Sequence, residues 1–160
     1  MGDPKPIAGA RALLFDRLVD FPSGSDERER SLRILNREQL RASVRRELER
    51  LLNTRCSLPL HRLAEEERSV VNYGIPDFSS LSSKSADDRA LIASIVGQTI
   101  TAFEPRLRQV TVAVSEVENA ESSLWVDIKA ALVVGVYFEP VSFPVLLNSK
   151  NGVAELHDSQ

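Results

Sequence analysis

Apolar residues recur at helical spacing through the first two thirds of the chain and at alternate positions after Pro105. Residues 8–20, "AGARALLFDRLVD", bring Leu13, Leu14, Leu18 and Phe21 near one side of a short helix, which Pro22 and Gly24 then break. This predicts a tethered segment over residues 1–24, either packed as a helix of the domain or serving as a docking arm. In "NREQLRASVRRELERLLNTR", Leu40, Val44, Leu48, Leu51 and Leu52 form one apolar stripe. Asn36, with Gln39 three residues on, predicts a capping box at its start. A second helix is expected from Ser85, with Asp87 and Asp88 in the first turn, where the helix dipole favours acidic groups. Its apolar positions are Leu91, Ile92, Ile95, Val96, Ile100 and Phe103. Pro105 ends it, because the ring clashes with a continuing helix and the preceding residue avoids helical geometry.

Beyond Pro105 the alternation predicts strands. Val110, Val112 and Val114 share one face, and "VENAESS" reads as a hairpin loop. Leu124, Val126, Ile128, Ala130 and Leu132 then alternate with Trp125, Asp127 and Lys129. A third strand carries Val141, Phe143 and Val145, and its Pro140 and Pro144 predict an edge position. Helices followed by an antiparallel meander give an α+β class. The domain is expected over residues 25–147, with a polar tail over 148–160. Between the helices, Asn72, Tyr73, Gly74, Pro76 and Asp77 form a dense group of turn residues.

Composition narrows the function. The 160 residues are 42% hydrophobic, enough for one modest core. The formal charge is −3, which gives no global signature of nucleic-acid binding. Residues 1–70 hold 14 Lys+Arg against 12 Asp+Glu, whereas residues 71–160 hold 6 against 11. The basic half reads as a solvated helical face or an arm that meets acidic protein surface. Cys56 is the only cysteine, so no intrachain disulfide is possible and a reducing, cytoplasmic setting is expected. No stretch reads as a signal peptide or approaches the roughly 18 apolar residues of a membrane span.

Chemistry-bearing motifs are scarce. His61 and His157 are far apart, there is no zinc spacing, and there is no phosphate loop. The remaining catalytic option is glycoside hydrolysis, with Glu104 as acid and Asp127 or Asp77 as the second carboxylate. Arg106 weakens it, since a neighbouring guanidinium favours the ionised form of a carboxylate, the wrong form for an acid.

Four stretches in order carry a resemblance: "LFDRLVD", "VRRELERLLNTR", "VVNYGIPDFSSL" and "FEPRLRQVTV". Together, over about residues 11–145, they resemble the TssE family, small baseplate subunits of bacterial type VI secretion systems. That family is similar to the gene-25-like wedge proteins of contractile phages, which carry an old lysozyme label. The resemblance implies a structural wedge component without cofactor, metal, nucleic acid or membrane insertion, in a cytoplasmic baseplate docked at the inner membrane. It implies wedge partners (TssF, TssG, TssK) and sheath partners (TssB, TssC), the latter through β-augmentation. It also implies a protein-binding role for Glu104, Pro105 and Arg106. From the residues alone, Arg106 can offer its planar fork to a partner or pair with Glu104 to lock the corner. The two readings are compatible, since a locked corner can also dock. The alternative function is a peptidoglycan hydrolase acting through Glu104.

Overall fold

A computed structural model describes residues 35–63, 65–117, 123–148 and 150–157. The expected segment over residues 1–24 and most of the "VENAESS" loop lie outside them.

Helix α1, Arg37–Asn53, begins as its sequence requires. The Asn36 side chain accepts from the Gln39 amide at 2.8 Å, and the Gln39 side chain accepts from the Asn36 amide at 3.1 Å. The expected stripe of Leu40, Val44, Leu48, Leu51 and Leu52 is buried. Helix α2, Ala86–Phe103, is capped by Ser85, whose hydroxyl accepts from the Asp88 amide at 3.2 Å. It buries Ile92, Ile95, Val96 and Ile100, while Leu91 lies off the stripe and is exposed. The Glu104 amide donates the last helical bond, to the Ile100 carbonyl, and Pro105 stops the helix there.

Four strands follow: β1 Leu107–Glu116, β2 Ser123–Val134, β3 Tyr137–Asn148 and β4 Ala154–Leu156. They form one antiparallel sheet in the order β1-β2-β3-β4. The two described helices against this sheet give the α+β architecture expected. The helices cover one face, where Leu124, Val126, Ile128, Leu132, Phe143, Val145 and Leu147 join the helical stripes in a single core. The two-residue turn between β2 and β3 uses Gly135 at a φ of 62°, a conformation open to glycine at no steric cost. Between β1 and β2, Gln109 and Val110 oppose Ala130 alone, and Gln109 takes a φ of 53° in this bulge.

Two expectations need correction. The proline-bearing β3 is not the edge of the sheet, because β4 pairs with its Val145–Leu147 stretch. The prolines are tolerated because of the direction their backbone faces. The Pro144 carbonyl accepts from the His157 amide at 2.8 Å, so Pro144 turns away from β2 and its missing N–H breaks no bond to that strand. Pro140, four residues back in an unbroken register, faces the same way, beyond the end of β4. Second, residues 148–160, read as a polar tail, contain β4. Three polar side chains hold its hairpin. Asn53 bonds both backbone groups of Ala154, at 3.0 and 2.9 Å, and Arg45 donates to the Leu156 carbonyl at 2.6 Å. Arg55 donates to the Gly152 carbonyl.

Among the described residues, the free edge of the sheet is β1, which holds no proline from Leu107 to Glu116. Alternation from Pro144 aims the backbone of Asp127 and Lys129 toward β1. Their partners Ala113 and Thr111 therefore face β2, and the backbone groups of Val112 and Val114 point outward.

Candidate functional site

The helix-to-strand corner is built from Glu104, Pro105 and Arg106. Glu104 is only 3% exposed. Arg106 Nε donates to Glu104 Oε1 at 2.8 Å, and Nη2 donates to Oε2 at 2.6 Å. The Arg106 amide adds a third bond to Oε1 at 3.1 Å. The remaining guanidinium nitrogen, Nη1, donates to Ser43 Oγ of α1 at 3.0 Å. This is a bidentate charged pair, the geometry in which guanidinium and carboxylate bind most strongly. Ser43 is fully buried, a polar residue on the apolar stripe of α1. The corner is also fastened to the sheet, since the Val133 amide donates to the Arg106 carbonyl at 2.8 Å. Of the two expected readings, the intrachain lock is what the fork forms. Pro105 remains exposed at its apex.

The turn residues converge on the same place. Tyr73 packs against Phe103, the last residue of α2, and the Arg68 guanidinium lies over the other partner of that pair, 5.0 Å from the Phe103 ring centre. Arg68 also donates to the Gly74 carbonyl at 2.6 Å. Burial pushes the Tyr73 hydroxyl pKa up, and the Glu47 carboxylate adds to this. Gly74 has a φ of 107°, and a Cβ there would lie 2.3 Å from the Thr54 carbonyl oxygen. The glycine lets Ile75 pair with the chain leaving α1, through Ile75 N to Thr54 O at 2.9 Å and Cys56 N to Ile75 O at 3.0 Å. Asn72 accepts from the Ser69 amide at 2.7 Å, and Pro76 is buried. Asp77 is exposed and accepts from the Ser79 amide at 2.9 Å, a bond that lowers its carboxyl pKa. Tyr73 and, through Arg68, Gly74 thus join the turn-rich loop to the helix end at Phe103.

The carboxylates of a glycosidase are not assembled. Both Glu104 oxygens face Arg106 and are closed to solvent. Asp127 belongs to the opposite face of the sheet, where it accepts from Ser142 at 2.8 Å and pairs with Lys129 at 3.2 Å. A surface cavity of about 360 Å3 lies beside Arg55, Asp77, Phe78 and Gly152, and contains neither Glu104 nor Asp127. Among the described residues, no group of three or more His, Cys, Asp or Glu could hold a metal ion. No described helix is long and apolar enough to cross a membrane. Sequence reasoning missed Ser43 and Arg68. Ser43 had a signal, a hydroxyl within the turn of Leu40 and Val44; Arg68 had none.

Residues 38–135 match the family model described as "Baseplate wedge protein gp25". Among solved structures, a chain of "The baseplate complex from the type VI secretion system" is similar, with a TM-score of 0.50 and 20% identity. The match covers 68% of this chain and 94% of that one. No curated protein matches the sequence.

Proposed function

The chain belongs to the family of the baseplate wedge protein gp25, and from that premise we propose that it is a structural wedge subunit of a type VI secretion baseplate. In this reading it works in the cytoplasm, in a baseplate docked at the inner membrane. It joins wedge partners of the TssF, TssG and TssK kind at the Glu104–Arg106 corner and offers β1 to a sheath subunit of the TssB or TssC kind.

The observation that carries the reading is the closed fork of Arg106 on Glu104, tied to Ser43. An enzyme would leave a carboxylate open to substrate, whereas this pair spends its hydrogen-bonding capacity on rigidity. A corner fixed in this way presents Pro105 and the 14% exposed rim of Arg106 in one geometry, which lowers the ordering cost of docking. The proline-free β1 edge supports the sheath role. Its outward backbone groups at Val112 and Val114 suit an added strand, with neighbouring side chains setting register.

The test is a proline at position 114, where the N–H faces outward and no internal ladder bond is lost. We expect Val114→Pro to melt within a few degrees of wild type and to abolish sheath assembly seen by fluorescence. Normal sheath assembly from a folded Val114→Pro protein rules out strand addition at β1.

A further inference from the structure

We infer that the ridge from Glu65 to Val71 is a second docking surface, and that its occupant is a basic amphipathic segment of a wedge partner. The inference rests on the wedge reading and adds a site to it. The short turn Val70–Asn72 leaves Val70 and Val71 89% and 86% exposed. The turn cannot easily fold them inward. The Asn72 side chain accepts from the Ser69 amide, and the Asn72 amide bonds back to the Ser69 carbonyl at 3.1 Å. Among the described residues, nothing covers these two neighbouring valines, and they favour an apolar partner.

The charges beside the valines select that partner. Four charged residues, Glu65 to Arg68, precede the turn. Glu66 is paired with Arg62. Arg68 turns inward onto Phe103 and the Gly74 carbonyl, with Nε and Nη1 closed to solvent and without an acceptor. Its positive charge is therefore withdrawn from the ridge. Glu65 and Glu67 are exposed, and their carboxylates make no ion pair with another described residue. A strip that is acidic at one end and apolar at the other fits a segment with Lys or Arg beside apolar side chains. Arg68 acts as a positioning residue, tying this ridge to the same Phe103 that ends at the Glu104 corner. The tip of the β2–β3 hairpin, Val136 to Phe138, is also apolar and exposed, but its flanking charge, Glu139, is already taken by Arg37 at 2.8 Å. Nothing there selects an occupant.

The experiment measures binding of the full chain to its co-expressed wedge subunits. Variants are Glu65→Lys/Glu67→Lys and Val70→Ser/Val71→Ser, each checked by thermal melt. All four side chains are exposed, so the melts should match wild type. Each pair of substitutions should weaken binding about tenfold, and the charge pair should also flatten its salt dependence. Binding within twofold of wild type by both variants overturns the inference while leaving the wedge reading intact. Failure of wild type to bind any wedge subunit sinks the wedge reading itself. A photo-crosslinker at position 71 should capture a partner peptide containing Lys or Arg. Capture of residues 1–34 of this chain, of a second copy, or of a peptide without a basic residue overturns the assignment.

Discussion

The ring of Tyr73 stands edge-on to the ring of Phe103, with centroids 5.1 Å apart and planes inclined at 63°. This contact joins the turn-rich loop to the end of α2, one residue before Glu104. Aromatic pairs in this geometry contribute about 0.5–1.5 kcal/mol beyond their buried area. We expect a double-mutant cycle of Tyr73→Leu and Phe103→Leu, read by urea denaturation, to give a coupling of that size. Strict additivity would show that the loop and the corner are independent. The raised Tyr73 pKa adds a sign. Its neutral form is favoured in the folded state, so its contribution is present below the ordinary value of 10.0 and is lost as pH rises beyond it. Tyr73→Phe should lose less stability between pH 9 and about pH 11 than wild type does.

Arg106 and Pro105 should separate folding from docking. Arg106→Ala leaves the Glu104 carboxylate buried without its partner, which costs about 3–5 kcal/mol in comparable buried pairs. Arg106→Lys should recover only part of it, because a lysine cannot form the two-pronged contact. Pro105 is exposed and makes no side-chain bond that its loss would strand. Pro105→Glu should therefore keep the melting temperature within a few degrees and still reduce wedge assembly. An unchanged wedge complex with Pro105→Glu removes the docking role of the corner.

Asn53 is a stability residue for the end of the chain. Its amide makes two bonds to the Ala154 backbone, at 2.9 and 3.0 Å, across a separation of 101 residues. At roughly 1 kcal/mol net for each bond, Asn53→Ala should destabilise the protein by about 2 kcal/mol in a denaturant melt. Removal of residues 149–160 should cost more, since it also uncovers Leu147. If neither change moves the melt, β4 adds nothing to the fold.

Purified protein should release no reducing sugar from peptidoglycan above background. The closed fork on Glu104 motivates this. Release that disappears in Glu104→Gln would reverse the conclusion.

Several features were legible in the sequence because each depends on neighbours in the chain. The Asn36–Gln39 box, the Ser85 cap and the stop at Pro105 are set within four residues, and the pleat alternation is as local. The position of β3 was not legible. Pro140 and Pro144 mark which side of a strand lacks N–H groups, but not whether another strand borders it there. β4 is only three residues long, and Asn53, Arg45 and Arg55 hold it from outside its own sequence. Its local pattern therefore had little to show. The direction of Arg106 was equally hidden, because a guanidinium facing a partner and one folded back on Glu104 have the same sequence. Ser43, which accepts from the folded-back guanidinium, lies 63 residues away.

The sheet also has handedness as a template. On one side, β4 is short and clamped, and the open part of β3 beyond it includes Pro140, which has no N–H to give. On the other side, past its bulge at Gln109, β1 turns the backbone groups of Val112 and Val114 outward and holds no proline. Among the described residues, a strand that joined the ladder would meet unequal ends, one capped by β4 and one open at β1. If growth starts at β1 as proposed, a filament begun on such a sheet would inherit a polarity before its second subunit arrived, and the asymmetry of the two edges would fix which way it runs.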